Sequence, residues 1–138
     1  MMSMISGARP SPFLLFGSVA AGLAVAAGAF GSHLLKSLLD APMLTAFETA
    51  VRYHMYHALA LCMLGWAGRQ KHAKYCSAAG WCFVAGIVLF SGSLYGMALT
   101  GARWLGALTP VGGTAFLVGW SLLARHAWHE IMRPSGEG

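Results

Sequence analysis

KYCSAAGWCFVAGIVLFSGSLYGMALTGAR, residues 74–103, decides the fold: 28 residues without a formal charge lie between Lys74 and Arg103. A helix that crosses the hydrocarbon core of a bilayer needs about 20 apolar residues. The apolar residues here come in blocks and do not alternate, which excludes a barrel strand. The neighbouring stretches repeat the pattern. Arg9 to Lys36 leaves 26 uncharged residues and Arg103 to Arg125 leaves 21, whereas Arg52 to Arg69 leaves only 16 and holds His54 and His57. The helix containing that short run must therefore begin earlier, near Leu44 to Glu48. The spacing predicts an all-α bundle of four transmembrane helices at about 12–34, 45–68, 76–99 and 104–125. It makes residues 1–138 one integral membrane domain with short tails.

Composition agrees. Thirteen of 138 residues are charged (Lys plus Arg 9, Asp plus Glu 4), 57% are apolar, and the mean hydropathy is +0.62. A soluble domain of this size would show too much of that surface to water. A disordered chain and a nucleic-acid module are excluded too, because the cations behind the net charge of +5 stand singly at the ends of apolar runs. The bilayer is the partner that this composition implies. Lys and Arg outside the helices number six on one side (Arg9, Arg69, Lys71, Lys74, Arg125, Arg133) and three on the other (Lys36, Arg52, Arg103). The excess predicts both termini in the cytoplasm, N-in and C-in. Arg9 followed by an apolar stretch and Ala24-Val25-Ala26 has the outline of a signal peptide, but the run continues to Leu35 and is long enough to span. Cys62, Cys76 and Cys82 form no C-x-x-C pair, so neither a disulfide framework nor a zinc site is expected.

Small residues four apart let membrane helices approach closely. Gly22 and Ala26, Ala24 and Gly28, and Ala27 and Gly31 line the first helix. Gly86, Gly92 and Gly96 recur in the third, and Gly112, Gly113 and Gly119 in the fourth. Gly28, Gly31, Gly92, Gly112 and Gly113 are expected at helix contacts, with Pro110 breaking one ladder bond near the start of the last helix.

Placing polar residues by depth is more informative. In alternating helices, Gly28 to His33, Glu48 to His57, Ser91 to Tyr95 and Thr109 to Gly113 all fall in the outer half. Polar groups in lipid need partners or a water-filled cavity. His33, Tyr53, His57, Ser91, Ser93, Tyr95 and Thr109 form the expected outer polar cluster. His57 stands at its centre, bonded to Ser91, Ser93, Tyr95 or the end of helix one. His54, nearer the interface, is given no essential role. Glu48 and Arg52, at i and i+4 with the acid first, are expected to form an interfacial ion pair. His72, His126 and His129 fall in cytoplasmic segments, and no third ligand makes a metal site of them.

Several of these segments together resemble one family. They are Gly28-Ala29-Phe30-Gly31-Ser32-His33, Phe47-Glu48-Thr49-Ala50-Val51-Arg52-Tyr53 with His57-Ala58-Leu59-Ala60, Leu89-Phe90-Ser91-Gly92-Ser93-Leu94-Tyr95, and Trp104-Leu105-Gly106 with Thr109-Pro110-Val111-Gly112-Gly113. Over about residues 12–124 the chain is similar to the "domain of unknown function 423" family of small bacterial inner-membrane proteins, which is similar to eukaryotic transmembrane protein 256. The resemblance implies a four-helix, multi-pass plasma-membrane protein of uncharacterised activity and brings no catalytic residues. His54 and Ser32 depart from the family pattern, where an amide and an alanine are usual.

Four functional readings follow. The first is a structural or accessory bundle, self-associating as a homo-oligomer or lying beside a larger membrane complex, with no cofactor and no enzymatic activity. The second is conduction of ions or small solutes by an oligomer through an outer vestibule. The third is a haem or metal ligated by His33 and His57. The fourth, an intramembrane enzyme pairing Ser91 or Ser93 with His57, lacks an acidic third member.

Overall fold

The structure, a computed structural model, describes residues 11–67 and 73–132. Arg9, Arg69, Lys71, His72 and Arg133 lie outside the described residues. The described residues are helical almost throughout, in the order α1 (Pro12–His33), α2 (Ala41–Ala67), α3 (Ala73–Gly86), a π-helical turn (Ile87–Ser91), α4 (Gly92–Thr100) and α5 (Thr109–Ile131). Because α3, the π turn and α4 run on without a break, they form one rod, and four long helices result. Short 3₁₀ turns at Leu35–Ser37 and Arg103–Leu108 lead into α2 and α5.

Local chemistry sets the ends. Ser11 caps α1, its hydroxyl accepting the Phe13 N–H at 3.4 Å, with Pro12 in the first turn. Asp40 does the same for α2, its Oδ1 accepting the Met43 N–H at 2.9 Å. α2 thus starts at Ala41, ahead of the apolar run near Leu44 that the charge pattern marked. Gly101 ends α4 in the left-handed region at φ 73°, its N–H returning to the Met97 carbonyl, a role for which glycine is suited. Pro110 breaks no ladder bond: the 3₁₀ turn before it leaves Pro110 in the first turn of α5, where no N–H is needed. α5 runs on to Ile131, well past Arg125, because a charge marks where lipid ends and not where a helix must.

Among the described residues, three stretches are long and apolar enough to cross a membrane: Pro12–Ser37, Lys74–Thr100 and Arg103–Ile131. α2, at 27 residues, is long enough but carries Glu48, Arg52 and two histidines. It is also the central helix, packing against α1, α3, the π turn and α4. Its buried residues include Phe47, Ala50, His54, His57, Ala58, Leu61 and Leu64. The apolar helices expose their large side chains instead: Leu15 is 65% exposed, Val88 63% and Leu117 69%.

Close approach depends on particular glycines. α1 and α2 run antiparallel, with Gly17 against the backbone of Ala58 and Cys62, and Gly65 against the backbone of Leu14. Gly28 meets Val51, and Gly31 meets the Phe47 ring. On the other side Gly86 and Gly119 receive the rings of Phe116 and Phe83, and Gly112 sits on the backbone of Phe90, with Gly113 alongside that ring. Two expected contacts fail. Gly22 faces open space and Gly92 is exposed, its nearest neighbour being the Ile87 carbonyl of its own rod at 3.9 Å from an added Cβ. Gly92 stands six residues after Gly86, so the two do not share a helix face.

Gly112→Ala and Gly92→Ala therefore separate contact from composition. A Cβ at 112 would overlap the Phe90 backbone, which no rotamer change relieves. Overpacking of this kind costs about 1–3 kcal/mol, so the melting temperature in detergent should fall clearly. Gly92→Ala should leave it unchanged or raise it, since alanine is favoured over glycine by roughly 0.5–1 kcal/mol in a helix.

Candidate functional site

A polar layer crosses the bundle between two apolar clusters. One cluster, at the end of the α1–α2 connection, is built on Leu35, Phe47 and Ala98. The other, larger and rich in rings, is built on Phe13, Leu61, Leu64, Ala79, Phe83 and Phe116. Between them lie His54, His57, Ser91 and Ser93, all buried.

His57 is fully engaged. Trp120 Nε1 donates to His57 Nε2 at 3.1 Å, so Nε2 carries a lone pair and the ring hydrogen sits on Nδ1. Nδ1 in turn donates to the Tyr53 carbonyl, one turn back on α2, at 2.8 Å. Both bonds are made by a neutral imidazole. The ring lies flat on Phe116, 3.4 Å between centroids and 8° between planes, with Phe83 tilted at 5.3 Å. Since α2 begins at Ala41, His57 is 16 residues along it, roughly 24 Å at the α-helical rise, and not the shallow position a start near Glu48 implied.

That depth changes its partners. The expected bonds from His57 to Ser91, Ser93, Tyr95 or helix one are not made. Tyr95 pairs with His54 instead, its hydroxyl 3.2 Å from His54 Nδ1, and Phe47 tilts against the Tyr95 ring at 5.0 Å. Ser93 Oγ donates to the Phe90 carbonyl at 2.9 Å and lies 3.1 Å from Thr109 Oγ1, tying α4 to the start of α5. Ser91 Oγ is buried with no hydrogen-bond partner among the described residues. Tyr53 contributes its carbonyl and its ring, 4.6 Å from Phe90, while remaining 40% exposed. His33 is exposed in the last turn of α1. Gly31 backs on Phe47, and His57 lies ten residues further along α2, about 15 Å away, so His33 and His57 cannot share one iron.

Glu48 and Arg52 are both exposed on one face of α2 and form no ion pair with each other. Arg52 Nη2 donates weakly to Thr49 Oγ1 at 3.4 Å. Ser32 bonds back to the Gly28 and Ala29 carbonyls at 3.0 and 3.1 Å. At the opposite end His126 and His129 belong to α5. His129 stacks on Tyr75 at 6.4 Å, and Arg125 lies 5.6 Å over the same ring.

Two residues of the layer escaped the sequence reading. His54 looked interfacial only because the start of α2 was placed late. Trp120 lay in the uncharged run between Arg103 and Arg125 and was given no role there, although Phe116 and Trp120 stand one turn apart on the α5 face that carries Gly112 and Gly119. The backbones of α2 and α5 do not pack along their lengths, and His57, Phe116 and Trp120 bridge them. Beside that bridge a groove of about 670 Å³ opens laterally, lined by Tyr53, Tyr56, Phe90, Pro110 and Leu117 among others.

If the His57–Trp120 bond holds α2 to α5, His57→Leu should destabilise by about 1–3 kcal/mol, because it strands the Trp120 N–H and the extra bond to the Tyr53 carbonyl. Trp120→Phe should also destabilise. The double variant should lose less than the sum of the two, measured by thermal melting in detergent; strict additivity would show that the two are uncoupled.

A family model described as "Protein of unknown function (DUF423)" matches residues 27–113, the stretch from the middle of α1 to the first turn of α5. The UPF0382 membrane protein YwdK of Bacillus subtilis is 44% identical over 112 residues, covering 80% of this chain and 91% of its own. A UPF0382 membrane protein of Staphylococcus saprophyticus is 44% identical over 111 residues, covering 80% and 92%, and one of Staphylococcus epidermidis is 43% identical over 111 residues, covering 80% and 90%. No solved structure matches the chain. The glycine-lined helix pair, the polar layer and these relatives agree: the chain is a membrane protein of the DUF423 family, whose function is uncharacterised.

Proposed function

We propose that the protein is a structural or accessory component of the bacterial plasma membrane. In this reading it spans the bilayer four times with both termini in the cytoplasm, works as a homo-oligomer or beside a larger membrane complex, and catalyses no reaction. One observation carries the reading: three of the four buried polar residues of the layer are hydrogen-bonded within the protein, Ser91 being the exception among the described residues. His57 is held by Trp120 and Tyr53, His54 by Tyr95, and Ser93 by Thr109. A vestibule or a catalytic dyad would present such groups to a solute or a substrate. Below the layer the bundle is filled by Phe13, Leu61, Leu64, Phe83 and Phe116, which give an ion no polar track. His57 has no lone pair left for a metal, and its neighbours are rings and not acids.

The excess of cations at the end where α1 begins and α5 ends supports the orientation, and the hydrogen-bonded interior supports α2 as a fourth span. A C-terminal green fluorescent protein fusion should fluoresce, and a C-terminal alkaline phosphatase fusion should be inactive; the reverse result overturns the orientation. Proteoliposomes of the purified protein should pass monovalent ions no faster than protein-free vesicles. A flux that Thr109→Val or Ser93→Ala abolishes would replace the accessory reading with conduction.

A further inference from the structure

Glu48 and Arg52 stand one turn apart with the acid first, the order in which a helical ion pair forms most readily. They do not pair. Arg52 has only the long contact to Thr49, and the Glu48 carboxylate has no partner among the described residues. Both charges instead rim a groove of about 310 Å³ between α1 and α2. Gly28, Gly31 and Ser32 form its α1 wall, and Phe47 and Val51 form its α2 wall beside the two charges. Val51 and the Phe47 ring pack onto the two glycines, and the Ser32 hydroxyl is turned back to the Gly28 and Ala29 carbonyls, so the floor of the groove is apolar. Its mouth carries one cation and one anion. From Ala41, Glu48 and Arg52 are 7 and 11 residues along α2, roughly 10 and 16 Å.

We propose that this groove binds one phospholipid whose headgroup carries a primary ammonium, with Arg52 on the phosphate, Glu48 on the ammonium and an acyl chain along the glycine trench. The charges require such a molecule. A guanidinium offers a planar fork of donors that suits phosphate oxygens. A carboxylate accepts from any of the three hydrogens of an alkylammonium. A choline headgroup has the positive charge but no N–H, and a glycerol headgroup leaves Glu48 facing a phosphate with nothing to neutralise it. Only the aminophospholipid satisfies both residues at once. The assignment rests on the proposed span of α2, in whose outer half both charges lie.

Native mass spectrometry of the detergent-purified protein, titrated separately with phosphatidylethanolamine, phosphatidylcholine and phosphatidylglycerol, tests it. The wild type should retain phosphatidylethanolamine about tenfold better than phosphatidylcholine, the size of effect that one charge-assisted hydrogen bond gives. Glu48→Gln should abolish that preference, and Arg52→Gln should weaken binding of all three lipids. Both side chains are exposed, so the variants should fold, and far-UV circular dichroism and melting check this. Equal binding of the three lipids by the wild type, a preference for phosphatidylglycerol, or an unchanged preference in Glu48→Gln would each overturn the proposal. The fusion reporters judge the span independently: a reversed or missing span with an intact lipid preference would leave the groove standing and remove only its depth in the bilayer.

Discussion

Lipid hydrocarbon offers no hydrogen bonds, and α2 buries two histidines that need them. That constraint arranges the rest. A helix with two buried histidines can sit among apolar helices only if those helices bring it donors and acceptors. α4 brings the Tyr95 hydroxyl and α5 brings the Trp120 N–H. α1 brings the Ser18 hydroxyl, 3.8 Å from Cys62 Sγ, and otherwise meets α2 through glycines that admit backbone to backbone. The least apolar helix is thus the most enclosed, while the three apolar helices show their side chains outward.

The two kinds of contact do different work. Glycine contacts draw helices together by dispersion, and any apolar residues of matching shape could serve. The hydrogen bonds are specific to one rotation of each helix. If α2 turned by one residue, about 100°, His54 and His57 would point away from Tyr95 and Trp120 and lose both bonds. Register between α2 and its neighbours is therefore set by the polar layer, and the apolar clusters above and below fill in around it. The π turn serves the same end. By shifting the face of the rod after Ile87 it lets Gly86 take the Phe116 ring on one side of the turn while Ser93 reaches Thr109 on the other.

The charge pattern made the four helices and the polar layer legible, because charges and apolar runs report directly on what a bilayer tolerates. Partners were not legible, and the reasons are specific. The start of α2 was read from hydropathy, which passes over Asp40 and Pro42, and those few residues moved His57 by more than one turn. Trp120 was read as apolar because a tryptophan is mostly hydrocarbon, yet its single N–H is what His57 needs. Gly92 fits a four-residue spacing with Gly96, but spacing along one helix does not say on which side its neighbours lie. The Glu48–Arg52 pair was inferred from helix geometry alone, which shows that two side chains can meet but not that they have nothing better to bind.

That last point bears on how the molecule meets its membrane. Inside the bundle, His54, His57 and Ser93 are bonded within the protein, and Ser91 is the buried polar side chain left open among the described residues. At the rim, Glu48 and Arg52 stand open beside a groove floored by Gly28, Gly31, Phe47 and Val51. Closing the inside and opening the edge suits a protein whose recognition is lateral, directed at lipids or at other helices in the plane of the bilayer. The groove beside the His57–Trp120 bridge is lined by residues of α2, the π turn and α5. Among the described residues, the unspent chemistry lies on the flanks of the helices.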